Sequence, residues 1–421
     1  MKLRLYLLAC GLSLVPAAGR AQTCVAGFAG PYPCSGVNLS AHVPLDRIGG
    51  GIVPGINAND IWGWTDPMTG KEYALVGRSN GTAFVDVSVP EQPIYVGNLP
   101  PHGANSTWRD IKVYGDHALV VSEAAGHGMQ VFDLTQLRNV ESPPVTFAET
   151  AHYANFGDAH NIAVNEATGY AYAVGTGTCG GGLHMLSVQD PLNPGFAGCA
   201  GASTHDTQCV LYAGPDVDHA GKEICFNSAG ATDTLDIVDV TNKAAPVVLA
   251  STGYAGAGFA HQGWLSEDHN YFLLGDELDE SIFGHNTRTY IWDVSDLDLP
   301  VVIGTYTATT PAIDHNQYVR GGYLYQANYR AGLRILSLAD VAAGNLSEVA
   351  VFDVHPANDA VGFNGAWSVY PYFASGTVVV SSIEEGLFVL RPRDCSLSDP
   401  ACVFVDGFES GDVSAWSTVV P

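Results

Sequence analysis

The chain has 421 residues, of which 14% are charged, and its 43 acidic and 17 basic residues give a formal net charge of −26. The charged fraction lies below the roughly 25% of an average globular protein, and 48 residues are glycine. This composition disfavours a helical protein. The acidic surface argues against nucleic acids and anionic membranes as partners.

The first 21 residues are typical of a secretory signal peptide. Lys2 and Arg4 precede an apolar run that ends at Val15. Small residues at Gly19 and Ala21 occupy the −3 and −1 positions of a cleavage site. The run is shorter than the ~20 residues that cross a bilayer, and no later stretch is long enough. The sequence therefore predicts an exported protein, extracellular or at the cell surface, including the outer membrane, without a transmembrane segment.

Eight cysteines remain after the predicted cleavage. An even number in an exported chain predicts disulfides rather than a metal site, and the sequence has no CxxC pair that would favour zinc. Connectivity does not follow from sequence, so pairing of neighbours is the simplest hypothesis. The predicted pairs are Cys24–Cys34, Cys179–Cys199, Cys209–Cys225 and Cys395–Cys402.

One phrase recurs at intervals of about 44 to 54 residues, namely an apolar strand followed by Asp or Ser and often by a later Pro. Each copy lies in a unit of four short β-rich runs separated by turn residues. Four strands in each repeat predict an all-β fold, a β-propeller, and seven copies predict seven four-stranded blades. The copies are centred on Asp86, Asp133, Ser187, Asp239, Asp293, Ser337 and Arg391.

The ends of the repeat region predict how the ring closes. The last unit has only three strands, whereas NLSAHVPLDRI, which begins at Asn38, looks like an outer strand without partners. We therefore expect this N-terminal strand to complete the last blade. The predicted domains are a signal peptide (1–21), a Cys-containing segment (22–37), the propeller (38–393) and a Cys-containing tail (394–421).

Two residue types in the repeats are predicted to serve the fold. The aspartates that end third strands should cap turns by accepting backbone N–H bonds. The tryptophans at blade strands should pack between blades. The aspartates are Asp86, Asp133, Asp239 and Asp293, and the tryptophans include Trp62, Trp264 and Trp292.

Several longer phrases carry a family resemblance: AHNIAVN, LDIVDVTN, HQGWLSEDHNYFLLGDE, IDHNQYV and NYRAGLRIL. With these phrases the chain resembles the LVIVD-repeat family and, more closely, the choice-of-anchor B group of exported bacterial proteins. The resemblance covers most of residues 38–391. It implies an exported propeller-like region followed by a C-terminal sorting tail, and no established catalytic residues. The tail here lacks an LPxTG motif, so a sorting or attachment signal and a plain terminal extension both stay open.

Histidines recur at the start of the first strand in four successive units. First strands line the central channel of a propeller, so equivalent positions should form a ring at one height. Second strands end near the same mouth and bring carboxylates. Neutral imidazole with carboxylate ligands suits divalent Mn, Fe, Zn or Cu. The predicted metal ligands are His160, His205, His261, His315, Asp276 and Glu277.

Other polar residues are predicted at the same mouth, where they would bind a ligand. A metal site, a metal-free ligand pocket and a set of channel side chains that hydrogen-bond one another remain alternatives. The predicted ligand-binding residues are Asp60, Arg78, Asp110, Glu123, Asn328, Arg330, Asn364 and Glu384.

The phrase GPDVDHAGKE offers a second cation site. Asp216, Asp218 and Glu223 supply the oxygen ligands that Ca²⁺ prefers, although their spacing departs from an EF-hand loop. The alternative is a solvated acidic turn. Asp279 and Glu280 carry the same ambiguity.

The sequence thus favours an exported, surface-associated binding or scaffolding module, monomeric, with an extracellular protein or glycan as its unidentified partner. A metal-dependent hydrolase or lyase of an acidic polysaccharide is the alternative. In it, Asp276, Glu277 or Glu384 would act as general base, and Arg78 and Arg330 would hold a substrate carboxylate. A purely structural surface protein is the third hypothesis.

Overall fold

The computed structural model describes residues 21–50, 55–201 and 203–393. Seven sheets form a seven-bladed β-propeller, which confirms the predicted fold class. The first strand of each blade contacts the first strand of the next, and the seventh contacts the first, so the ring is closed. The predicted signal peptide, except for Ala21, and the tail with Cys395 and Cys402 lie outside the described residues.

The strands follow one another radially within each blade. Three strands precede the first blade: β1 (Phe28–Ala29), β2 (Tyr32–Ser35) and β3 (Val37–Val43). Blade 1 contains β4 (Ala58–Thr65), β5 (Glu72–Arg78), β6 (Gly81–Asp86) and β7 (Ile94–Leu99). Blade 2 contains β8 (Arg109–Tyr114), β9 (His117–Ser122), β10 (Met129–Asp133) and, after the short β11 (Val145–Thr146) that pairs with β7, β12 (Ala151–Tyr153). Blade 3 contains β13 (Asn161–Asn165), β14 (Tyr170–Val174), β15 (Leu183–Ser187) and β16 (Gly195–Ala200).

The remaining four blades repeat this order. Blade 4 contains β17 (Asp206–Leu211), β18 (Glu223–Ala229), β19 (Thr234–Asp239) and β20 (Val247–Gly253). Blade 5 contains β21 (Ala260–Leu265), β22 (Tyr271–Asp276), β23 (Arg288–Asp293) and β24 (Val301–Thr307). Blade 6 contains β25 (Gln317–Arg320), β26 (Tyr323–Ala327), β27 (Leu333–Ser337) and β28 (Ser347–Phe352). Blade 7 contains β29 (Ala366–Tyr370), β30 (Val378–Ser382), β31 (Gly386–Pro392) and the N-terminal β3.

Ring closure occurs as the sequence predicted. Strand β3 pairs antiparallel with β31, and Leu39 lies opposite Leu390. The preceding strand β2 adds to the outer edge of blade 6 through β28. The N-terminus therefore ties blade 7 to blade 6 as well as completing blade 7.

The core lies between neighbouring blades. The second strand of blade 1, EYALVGR, is buried along its whole length, because blades cover both of its faces. The predicted aspartate caps are present at the ends of third strands. The backbone N–H donors and their acceptors are Ser88 to Asp86 (3.0 Å), Thr135 to Asp133 (2.9 Å), Thr241 to Asp239 (3.0 Å) and Ser295 to Asp293 (2.9 Å).

Three predicted disulfides are formed: Cys24–Cys34, Cys179–Cys199 and Cys209–Cys225. The last crosses directly between paired positions of β17 and β18. Helices are short in the described part of the chain. They are α1 (Asp279–Phe283) and 3₁₀ turns at Leu45–Ile48, Leu134–Asn139, Cys179–Gly181 and Val341–Ala343, and none of them could cross a bilayer.

Candidate functional site

The four predicted histidines lie side by side at one mouth of the channel. The ring centroids of His160 and His205, of His205 and His261, and of His261 and His315 are 4.4, 4.4 and 4.3 Å apart. Their interplanar angles are 52°, 42° and 43°, near the ~51° that separates neighbouring blades of a seven-fold ring. The imidazoles therefore radiate from one axis. We call this group the histidine arc.

Hydrogen bonds fix the orientation of three rings of the histidine arc. In each, the Nδ1 atom lies within hydrogen-bonding distance of an oxygen, so Nδ1 donates to that oxygen and Nε2 points away from it. Histidines that bind metals through Nε2 are held in this way. The acceptors are Glu123 Oε1 for His160 (2.6 Å), the His261 carbonyl for His205 (2.9 Å) and the Trp367 carbonyl for His315 (2.5 Å).

Glu277 brings a carboxylate to two members of the histidine arc. Its oxygens lie 3.8 Å from Nε2 of His261 and 3.8 Å from Nε2 of His315. The Tyr329 hydroxyl donates a 2.7 Å hydrogen bond to Glu277 Oε1 and holds the carboxylate in place. One ligand atom from each of the three residues falls within 4.8 Å of the others. Beside them lies a cavity of about 10 Å³.

Burial keeps three of the imidazoles, those of His205, His261 and His315, neutral. It lowers the pKa of His205 and of His261 well below the usual value, and neighbouring imidazoles lower both further. It lowers the pKa of His315 to about 3. Burial also raises the pKa of Glu277, an effect that the Tyr329 hydrogen bond opposes. Neutral imidazoles with free lone pairs are the form that binds metal ions.

Asp276 does not join this group. Its carboxylate accepts hydrogen bonds from the Tyr254 hydroxyl (2.6 Å) and from the backbone N–H groups of Gly258 (2.8 Å) and Phe259 (2.7 Å). These bonds anchor the loop that leads into β21. The sequence placed Asp276 correctly at the end of a second strand, but the adjacent Glu277 alone faces the histidines.

Alignment of the repeats predicts Asp60 and Asp110 at the level of the histidines, but both lie one residue deeper in the channel. Asp60 accepts a 3.1 Å bond from the Ile111 N–H of the next blade, and Asp110 accepts a 2.6 Å bond from the Ile162 N–H of the blade after it. The Lys112 ammonium lies 2.7 Å from Asp110 and 3.5 Å from Asp60. These two carboxylates therefore join blades and do not line the mouth.

The sequence contained a signal for the correct register. An isoleucine follows Asp60, Asp110 and Asn161 alike, so Asn161 and not His160 is their equivalent. Arg109 takes the histidine position in blade 2 and lines the small cavity with His160.

Arg109 connects to the predicted Arg78. The Arg109 Nε donates a 3.2 Å bond to the Arg78 carbonyl, and its Nη1 lies 2.9 Å from His127 Nε2. Arg78 is itself buried and donates to Asn80 and Asn98. Its guanidinium thus holds loops of blade 1 together.

The remaining predicted ligand residues form a separate rim between blades 6 and 7. Arg330 donates to Asn364 Oδ1 through Nε (3.1 Å) and Nη2 (2.5 Å). Asn364 donates a 2.6 Å bond to Glu384, which also accepts the Gly365 N–H. Asn328 is buried beside Gln326. Only Glu123 of the eight predicted residues contacts the histidine arc directly through its side chain in the described part of the chain.

The three predicted calcium ligands do not meet. Glu223 is buried, and its oxygens accept bonds from Asn165 (2.8 Å), Thr168 (2.7 Å), Tyr172 and Lys243 (2.6 Å).

Asp218 is exposed, and Asp216 instead groups with two other residues. The His219 Nε2 lies 3.9 Å from Asp216 and 3.2 Å from Asp298. The sequence phrase therefore contains a turn that docks onto blade 5, through the Leu297 N–H bond to Asp216 (3.0 Å).

No protein-family model matches this chain, and no curated protein matches it. A crystal structure of a protein from Lactobacillus plantarum is similar, with a TM-score of 0.56 and 14% identity over 82% of this chain and 94% of that one. The β-propeller domain of Myceliophteria thermophila Cps50 (Swd1) gives a TM-score of 0.47 and 12% identity over 76% of this chain and 91% of that domain. Such low identities concern the fold alone. The resemblance to LVIVD-repeat proteins stays a prediction.

Proposed function

We propose that this chain is an exported binding module whose channel mouth holds one divalent transition-metal ion, bound by His261, His315 and Glu277. The observation that carries the proposal is the Glu277 carboxylate between two imidazole Nε2 atoms, each 3.8 Å away. Ligand atoms around one ion, at bonds of ~2.0–2.2 Å, lie about 3 to 4 Å apart. A small inward movement of these side chains would complete the coordination.

Two further observations support an ion at this position. The Nδ1 of His261 is buried and has no hydrogen-bond partner among the described residues, so this ring makes little use of its polar atoms within the protein. The His315 ring is fixed by its bond to the Trp367 carbonyl, in the arrangement typical of metal ligands. Imidazole with carboxylate suits Mn, Fe, Zn or Cu.

The small cavity favours binding over catalysis. About 10 Å³ beside the ligands is room for roughly a single water molecule. A sugar residue of a polysaccharide needs far more space, and Glu384 is bound to Asn364 on a separate rim. We therefore prefer a binding or scaffolding role to the hydrolase or lyase.

Metal analysis tests the proposal. The full chain, purified without a histidine tag and incubated with Mn, Fe, Zn or Cu, should retain about one ion per chain after desalting. The H261A/H315A double variant should lose it, whereas H117Q, which changes a half-buried histidine of blade 2, should retain it. A wild-type protein without metal, or a double variant that keeps it, would overturn the proposal.

Export, membership of the LVIVD-repeat group, a monomeric state and an extracellular protein or glycan partner belong to the same proposal. Three disulfides support an oxidising compartment. The signal-like N-terminus supports export, and the acidic net charge supports an extracellular, salt-tolerant surface.

A further inference from the structure

The opposite mouth of the channel holds a much larger cavity, of about 690 Å³. The first strands run from the histidine arc toward this cavity, and residues of all seven first strands line it. Its size falls within the range of cavities that bind small organic ligands. The contacts of Lys112 with Asp60 and Asp110 form a layer that separates this cavity from the histidine arc. None of the predicted metal ligands lines the cavity in the described structure.

One half of this cavity is an aromatic wall. It is formed by Trp62, Trp264, Tyr318, Tyr370 and Tyr372, which come from blades 1, 5, 6 and 7. The rings contact one another edge to face, with Trp62 5.5 Å from Tyr318 and Trp264 4.9 Å from Tyr318 between centroids. A cluster of this kind presents several negative ring faces to one volume.

Carboxylates make up most of the charge in the same cavity. Glu166 and Glu267 are exposed at the mouth, and Asp206 lies deeper on the wall of blade 4. Lys112 is the lining cation within the described residues, and Asp110 and Asp60 already neutralise it. Carboxylates therefore outnumber ammonium groups on this wall, which favours a bound cation.

The aromatic wall already holds an ammonium group. The Nζ atom of Lys112 lies 4.7 Å from the centroid of the Trp62 ring, within the distance at which a cation is attracted to a ring face. Polar groups on the wall of blades 4 and 5 are used within the protein. Gln208 accepts the Leu265 N–H (2.8 Å), and Gln262 bonds Gln317 (3.0 Å). Ring faces and carboxylates are thus what this cavity offers to a ligand.

We propose that this cavity binds an organic cation, an ammonium group on an apolar body, with Asp206 as its counter-ion and Trp62 and Trp264 as its aromatic walls. Quaternary ammonium ligands are recognised by aromatic cages of this composition. The carboxylates at the mouth attract the cation, since clefts lined by one sign of charge concentrate ligands of the other sign. This site is separate from the proposed metal and does not depend on it.

Calorimetric titration of the full chain with acetylcholine and with its uncharged carbon isostere, 3,3-dimethylbutyl acetate, tests the proposal. Both probes have nearly the same shape, so a difference in affinity reports the charge. We expect acetylcholine to bind at least about tenfold more tightly. Treatment with EDTA should leave this difference unchanged, which separates the result from the fate of the metal proposal.

Variants assign the residues. Asp206→Asn should weaken acetylcholine binding about tenfold, as expected when a cation loses a charged partner. Trp264→Leu should weaken it by a similar factor, whereas Trp264→Phe should retain most of the affinity because a ring face remains. Exposed Glu141, on the loop before β11, provides the control, and Glu141→Gln should bind as the wild type does.

Four outcomes would overturn the proposal. Equal affinity for the two probes, or no binding of either, would show that charge is not recognised. Binding of a neutral oligosaccharide such as cellohexaose, without binding of acetylcholine, would make the cavity a sugar site. Wild-type affinity in Asp206→Asn would remove the counter-ion. Thermal unfolding of each variant verifies that a loss of binding does not reflect a loss of fold.

Discussion

Glu280 lies on helix α1 with 1% of its surface exposed, and neither of its carboxylate oxygens accepts a hydrogen bond in the described part of the chain. Burial raises the pKa of this carboxyl to about 11, with further contributions from Asp314 and Asp279. The sequence offers two alternatives for Glu280, a calcium ligand and a residue of a solvated turn. Its environment instead favours a neutral, protonated side chain.

This protonation has a consequence for stability. Below the unfolded-state pKa of about 4.3, the carboxyl is protonated in both states, so its titration does not change the free energy of unfolding. As the pH rises, the unfolded state releases the proton and the folded state keeps it, so the free energy of unfolding falls until the pH reaches the folded pKa. We expect Glu280→Gln to be more stable than the wild type by more than about 1 kcal/mol at pH 8.5.

Urea unfolding at pH 4.5 and pH 8.5, in the presence of EDTA, measures this difference. The gain at pH 8.5 should exceed the gain at pH 4.5. Glu141→Gln, which changes an exposed carboxyl, should show no such dependence. An equal effect of Glu280→Gln at both pH values would contradict the assignment of a protonated side chain.

Single residues also show where sequence reasoning reaches its limit. The histidines were identified because they recur at one strand position, and the closed ring converts that recurrence into contact. Asp276 and Glu277 are adjacent in sequence, so pattern alone does not separate them, and only the loop bonds to Gly258 and Phe259 do so. The role of Glu223 is likewise not readable from its sequence neighbours, because its four hydrogen-bond partners come from two blades.

At the scale of strands, the channel is held by a layer of polar contacts between blades. Lys112 of β8 lies between Asp110 of its own strand and Asp60 of β4. Lys112 is buried, yet these carboxylates raise its pKa well above the usual value, and they outweigh the opposing effect of burial. The ammonium is therefore charged, and each carboxylate also accepts an N–H from the next blade.

Removal of the ammonium should be costly. Lys112→Met leaves the buried Asp110 carboxylate without a counter-charge, and we expect a loss of about 3–5 kcal/mol in the free energy of unfolding. Burial raises the pKa of Asp60 well above its usual value, so Asp110 is the carboxylate that most needs the ammonium. The double variant Lys112→Met/Asp110→Asn should recover part of this loss, since the asparagine oxygen still accepts the Ile162 N–H. Urea unfolding of Lys112→Met, of Asp110→Asn and of the double variant gives the coupling energy between the two side chains.

Lys71 provides a matched control for this prediction. Its ammonium lies 2.8 Å from Asp86, but half of the Lys71 side chain is exposed. Lys71→Met should therefore cost no more than about 1 kcal/mol. Equal losses in Lys71→Met and Lys112→Met would mean that the channel layer contributes no more than a surface ion pair.

Strand-level features were predictable to the degree that they are periodic. The third-strand aspartates and the blade count follow from the repeat itself. The sequence predicts the register of the first strands wrongly by one residue in blades 1 and 2, where Asn59 and Arg109, respectively, take the position of the histidine. A slip of one residue changes the level in the channel, so Asp60 and Asp110 moved from the mouth into the layer between blades.

At the scale of the whole molecule, the aromatic cavity shows what a linear sequence conceals. Trp62 and Trp264 were predicted to pack between blades, and both are indeed only partly exposed. Their second role depends on the convergence of Tyr318, Tyr370 and Tyr372 from other blades at one mouth. Residues that are some 300 positions apart in the chain form one wall because the ring closes.

Ring closure itself rests on β3, the strand that brings the N-terminus to blade 7. Leu39 is buried there between blades 6 and 7, in a cluster with Leu390 and Phe388. Leu39→Ala leaves a cavity at the closing ladder, and we expect a loss of about 2–5 kcal/mol in the free energy of unfolding, measured in urea. Val301→Ala is the control, since Val301 also lies on an outer strand but is 46% exposed. A wild-type stability in Leu39→Ala would mean that the burial of the Leu39 side chain does not contribute to ring closure.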